Sequence, residues 1–155
     1  MDLDGLPEGR VIVVGVGSTV RSDDGAGPAV VGRLAGEFPD DVIDAGQAPE
    51  NYVAPIRRAG PSAVILVDAA DFGGTPGEVR TARASDVEGL MMDTHAAPLS
   101  MFMRILNEET GADVRLVAIQ AGSMEFGEGF GPEVSAAVDE VTRELGAILR
   151  EVVKR

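Results

Sequence analysis

Ser62-Ala63-Val64-Ile65-Leu66-Val67-Asp68 is the stretch whose reading decides the fold. Its apolar run is short for a helix and unbroken by the polar alternation of a strand with one wet face. A strand buried on both faces remains, and such strands belong to parallel sheets covered by helices. Upstream, residues 10–16 (RVIVVGV) read the same way, with Gly15 and Gly17 breaking the run. Downstream, residues 113–119 (DVRLVAI) make a last strand. Residues 41–45 form a short second strand, and residues 78–82 form an edge strand after the glycine-rich turn at 73–77.

Helical stretches fall between these strands. One follows Ser22-Asp23-Asp24-Gly25 and runs to about Glu37, with Val30, Val31 and Leu34 on its apolar side. Another opens at Pro49-Glu50-Asn51 and ends near Gly60, and a third runs from Pro98 to about Glu109. The final helix starts around Pro132, where a missing N–H costs nothing in the first turn. Its Val134, Val138, Val141, Leu145, Ile148 and Val152 recur at steps of three and four, one stripe facing a sheet. Strands alternating with helices predict an α/β three-layer sandwich of about five mostly parallel strands, with helices on both faces. The 155 residues suit one domain spanning 1–155.

Composition excludes several classes of function. There is no cysteine, hence no disulfide, thiolate ligand or cysteine nucleophile, and His95 is the one histidine. A net charge of −13 argues against a nucleic-acid partner, because phosphate binding needs a basic surface. That charge reads as a solvated acidic surface or as a match to a basic patch on a partner protein. No run approaches the roughly 18 apolar residues of a membrane span. The acidic start MDLDGLPEGR lacks the order of a signal peptide, so a cytoplasmic location is expected.

In parallel sheets, sites gather at the carboxyl ends of strands. Three polar residues stand where that rule is informative: Asp24 after the first strand, Asp68 at the end of the third, and His95 in the loop before a helix. Each has an ordinary structural explanation: helix capping for Asp23 and Asp24, a turn or cap for Asp68, and a surface loop for His95. Asp71 rivals Asp68 but lies deeper in its loop. Together the three offer an O, O, N donor set with open positions, suited to a borderline divalent ion such as zinc or nickel. The Gly15-Val16-Gly17 turn fails as a dinucleotide fingerprint, because Val20 replaces the third glycine and paired aspartates would repel a pyrophosphate. None of the seven serines sits in a G-x-S-x-G elbow, and no HExxH occurs. Metal-dependent chemistry is left. Phe126 and Phe130, on the glycine-rich stretch 124–131, serve either as core anchors or as contacts for a substrate.

Four blocks in order give the chain a family likeness. Gly15-Val16-Gly17 with Ser22-Asp23-Asp24-Gly25-Ala26-Gly27 resembles the opening motif of the hydrogenase maturation proteases. Residues 44–51 (DAGQAPEN) are similar to the second block, in the form of the formate-hydrogenlyase and methanogen-hydrogenase branch. Leu66-Val67-Asp68-Ala69 with Pro76-Gly77-Glu78 resembles the third, and Thr94-His95 with Pro98-Leu99 the fourth. The similarity runs from about residue 10 to residue 150. It departs at Ser18, where the family usually carries Asn.

The resemblance implies a sheet with one strand antiparallel to the rest. It also implies an endopeptidase that removes the C-terminal extension of a NiFe hydrogenase large-subunit precursor after nickel insertion. Asp24, Asp68 and His95 would be the metal-binding and catalytic residues, reading nickel supplied by the substrate rather than holding a resident ion. His95 must be neutral to ligate, so activity should fall in mild acid. The expected partner is the precursor alone, met by a monomer, with no nucleic acid and no membrane. The competing expectation is a nickel-dependent chaperone that binds the large subunit without cutting it.

Overall fold

In the computed structural model, which describes residues 1–20, 22–122 and 130–154, the stretch around Val64–Val67 is the central strand of a five-stranded sheet. The strands are β1 (Val11–Val16), β2 (Val42–Gly46), β3 (Ala63–Ala70), β4 (Val79–Arg83) and β5 (Asp113–Gln120), ordered β2-β1-β3-β5-β4. All neighbours are parallel except β4 and β5, so the lone antiparallel strand is the edge one. The expected α/β three-layer sandwich is what the chain forms.

The unbroken apolar runs have the predicted cause. Val11, Val13, Ile65, Val67, Val117 and Ile119 point to one face, where α1 (Ala26–Leu34) and α5 (Pro132–Lys154) cover them. Ile12, Val14, Val64, Leu66 and Leu116 point to the other, beneath α2 (Val53–Ala59) and α4 (Ala96–Thr110). Each fully buried Val, Leu or Ile contributes about 1.5–3 kcal/mol of transfer free energy. With helices on both sides, both parities of the central strands are mostly apolar.

Several boundaries differ from expectation for local reasons. Gly15 does not break β1 but lies inside it, paired with Val67. Asp68 does not end β3, which continues to Ala70 against β5. Pairing with β1 stops at Gly15–Val67, however, so Asp68 is the first β3 residue beyond its neighbour on that side. Helix α4 begins at Ala96, not Pro98. Pro98 is its third residue, still among the first four, whose N–H groups have no helical partner. Helix α3 (Ala84–Leu90) was not expected, because Val87 is its one buried residue and leaves no periodic signal. In the last two turns of α5 the buried position is Leu149, while Ile148 and Val152 are only partly covered. Among the described residues, no helix is long and apolar enough to cross a membrane.

Candidate functional site

The site is built where β1 passes into α1, and glycine makes that passage possible. Gly17 has φ +139°, a region L side chains rarely adopt, and a Cβ there would strike the carbonyl of Asp24. A Cβ on Gly27 would strike the carbonyl oxygens of Val16 and Val67. The first turn of α1 therefore sits directly on the ends of β1 and β3, which brings Ser22–Gly25, a 3-10 turn, to the carboxyl rim of the sheet.

The N-cap position of α1 is Gly25, which has no side chain to cap the helix. Asp24, buried, accepts a hydrogen bond at Oδ2 from the Ser18 N–H at 2.9 Å. Asp23, also buried, accepts from Gly122 N–H at 2.7 Å and from Gly131 N–H at 3.1 Å. It thereby ties the turn to the chain leaving β5 and to the chain entering α5. The Ser18 hydroxyl faces the Val20 N–H at 3.4 Å, a local turn contact of the kind Asn also makes.

Asp68 lies on the face of β3 that carries Val64 and Leu66 and is almost wholly buried, at 2% exposure. Burial pushes its pKa well above the ordinary carboxylate range, and the negative charges of Asp24 and Asp93 push it the same way. A hydrogen bond from the Ala69 backbone opposes them. Asp24 and Asp68 are thus close enough to repel each other when both are ionised.

Asp68 and His95 line one cleft of about 260 Å³, shared with Gln47, Glu50, Phe102 and the apolar wall of Val16, Pro49, Pro98 and Leu99. His95 is exposed and stands at the N-cap of α4 without capping it by its side chain. Its backbone N–H donates to Asp93 Oδ1 at 3.0 Å. The second oxygen of Asp93 accepts from Asp71 N–H at 3.1 Å. Asp71, the rival candidate, is spent on its own loop: Oδ1 accepts from Gly73 N–H, and from Gln120 Nε2 at 3.3 Å.

The three candidates therefore arrive at one rim from the turn before α1, from β3 and from the loop before α4, linked in two pairs. Asp24 and Asp68 are coupled through charge, and Asp68 and His95 share a cleft. Among the described residues, no three His, Asp or Glu side chains stand together closely enough to hold an ion by themselves. Two buried carboxylates and one open imidazole form a partial donor set, suited to an ion that brings ligands of its own. A larger cleft, about 920 Å³, lies at the opposite end of the sheet around Ser62, Arg83, Asn107 and Asp113, and contains none of the three. Volume is a poorer guide here than the converging polar groups.

The sequence-based expectation gave Asp93 no part and missed Glu50 and Gln47 as cleft residues. The parts of Asp93 and of Asp23 depend on backbone N–H groups that no side-chain pattern displays. Phe126 lies outside the described residues. Phe130 packs against the core under α1 and α5 and near Gly25, which favours the anchoring reading for that ring.

Three comparisons bear on this geometry. The family model described as hydrogenase maturation protease matches residues 28–148. The chain is 35% identical over 137 residues to the hydrogenase 3 maturation protease of Escherichia coli K12, spanning 86% of this chain and 87% of that protein. It is 29% identical over 158 residues to the coenzyme F420 hydrogenase subunit delta of Methanothermobacter thermautotrophicus, spanning 94% and 96%. In three dimensions it resembles the NiFe hydrogenase maturation protease HycI of Thermococcus kodakarensis, with a TM-score of 0.82, 32% identity and 95% of each chain covered.

Proposed function

This chain belongs to the hydrogenase maturation protease family, and from that premise we propose that it cuts the C-terminal extension from a nickel-loaded NiFe hydrogenase large-subunit precursor. The observation that carries the reading is the pairing just described: Asp24 and Asp68 in electrostatic contact, with His95 on the same cleft as Asp68. In this reading nickel is part of the substrate. It arrives held by the precursor, and Asp24, Asp68 and His95 complete its coordination. A precursor without nickel lacks that anchor and stays uncut.

The electrostatics support a reader of cations. Two buried carboxylates with a third acid nearby repel one another, and an arriving cation relieves the repulsion. Asp68 then gives up its proton, so that nickel recognition is coupled to proton release. The anchored ion holds the adjoining peptide at the rim, where it polarises the scissile carbonyl or activates water. A monomer in the cytoplasm is sufficient for this work.

The test is direct. Incubating the protein with nickel-loaded precursor should release a fragment with the mass of the tail, whereas nickel-free precursor should remain whole. Asp24→Asn and His95→Ala should stop cleavage while keeping the fold, checked by circular dichroism. Intact nickel-loaded precursor in a stable complex would instead identify a binding module. Full activity in either variant would remove that residue from the site.

A further inference from the structure

His95 is the least supported member of the site. It is exposed, its side chain does not cap α4, and the helix it precedes begins one residue later. Something other than packing must hold it at the cleft. Asp93 is placed to do so. One oxygen accepts the His95 N–H at 3.0 Å and the other accepts the Asp71 N–H at 3.1 Å, so a single carboxylate joins the start of α4 to the chain leaving β3.

The Asp71 side of this clamp is itself fixed. The buried Gln120 side chain, on β5, accepts from Phe72 N–H at 2.9 Å and from Gly74 N–H at 3.1 Å, and donates to Asp71 Oδ1 and the Ala121 carbonyl. The Met92 N–H donates to the Asp71 carbonyl at 2.7 Å, one residue before the clamp. A polar chain therefore runs from the sheet through Gln120 and the 71–74 loop to Asp93, and ends on His95. Asp93 faces Asp68 closely enough for its charge to be felt there, which places the clamp beside the cleft.

We propose that Asp93 is a positioning residue for His95: its carboxylate bridges the Asp71 and His95 N–H groups and holds the imidazole at the cleft beside Asp68. The inference rests on the proposed reading of His95 as a nickel ligand for its purpose, but not for its geometry. Both oxygens of Asp93 are engaged by backbone donors, which suits a supporting role better than direct ligation. Asp93 holds the His95 backbone and not its ring, so the about 10–100-fold loss typical when a direct partner of a metal ligand is removed is the upper bound for its effect.

Because His95 is the sole histidine, its imidazole gives one unambiguous set of NMR resonances. The experiment compares the full-length protein with Asp93→Ala and Asp93→Asn, first without metal and then titrated with Ni²⁺, whose paramagnetism broadens the resonances of a bound imidazole. In metal-free Asp93→Ala the His95 amide should exchange with solvent about tenfold faster or more, since a local opening loses what a charged hydrogen bond supplied. The imidazole resonance should shift, and the melting temperature should stay close to that of the parent. Ni²⁺ should then be needed at a higher concentration for equal broadening, with about 10–100 times as the upper bound. Asp93→Asn keeps one acceptor and should fall between.

Unchanged His95 exchange and resonance in Asp93→Ala would overturn the clamp, whatever nickel does. A lower melting temperature with unchanged His95 exchange would overturn it in favour of a general structural role. Altered His95 exchange, with the parent protein cutting nickel-free and nickel-loaded precursor alike, would support the clamp and sink the nickel-reading proposal, so the two fail separately.

Discussion

Asp68 concentrates the cost of this site in one side chain. A carboxyl held almost out of water beside two other acids has a pKa well above its ordinary value. Between the ordinary value and the raised one, the folded chain keeps a proton that the unfolded chain has released, so stability falls as pH rises through that window. Replacing Asp68 with Asn keeps the shape and removes the charge. The Asn variant should therefore melt higher at neutral pH by about 2–4 °C, the effect of ~1 kcal/mol in a domain of this size, with a flatter dependence of stability on pH. It should also lose cleavage of the nickel-loaded precursor. A lower melting temperature than the parent at pH 7 would show that burial of the charge is not what raises this pKa. Activity should follow the opposite trend to stability, rising from acid toward neutral pH, because a ligating Asp68 must be ionised and a ligating His95 neutral. A pH–rate profile flat down to pH 5 would count against both as ligands.

At the level of elements, the seating of α1 on β1 and β3 is what brings Asp24 to Asp68. Gly27 is where that contact is tightest, facing the Val16 and Val67 carbonyls. Gly27→Ala should force the helix outward, at about 1–3 kcal/mol or more for overpacking, read as a lower urea midpoint. If the helix moves, cleavage should drop further than stability alone explains. The chain between β5 and α5 makes a second test. Phe130 packs on the core beside the turn that carries Asp24. Phe130→Ala should lower the melting temperature measurably; an unchanged value with weakened precursor binding would restore its reading as a substrate contact. Helix α3 shows the limit of periodicity at this scale, since seven residues with one buried side chain look like a loop until a neighbour covers them.

Across the whole molecule, one sheet separates two apolar layers, and both are needed to bury it. Ile65 and Leu66 are adjacent in β3, yet one packs under α1 and α5 and the other under α2 and α4. Either residue changed to Ala should cost about 2–5 kcal/mol, within a single cooperative transition by calorimetry, because neither layer can unfold and leave the sheet half wet. Two separate transitions would mean that the layers are independent units. The rim where β1 and β3 end collects Asp23, Asp24, Asp68, Asp71 and Asp93, so a chain with net charge −13 meets its proposed cation where Asp24 and Asp93 repel Asp68.

The layering, the parallel core strands and the identity of three candidate residues were legible in the sequence. Runs such as Val64–Val67, the α5 stripe and the acids at strand ends are local patterns with local causes: burial on two faces, helical period, and the exit of the chain from an apolar layer. Family likeness added the antiparallel edge strand and the expected substrate. Tertiary structure alone decided that Asp68 sits inside its strand rather than at its end, because strand length is settled by the neighbour it pairs with, and β5 runs further than β1. It also decided which acids face the cleft and which are tied to backbone N–H groups, as Asp23 and Asp93 are. The donors to Asp23, and the Asp71 N–H that Asp93 accepts, belong to residues far along the chain, while the His95 N–H lies two residues from Asp93, so the joining of the loops becomes visible only when they meet.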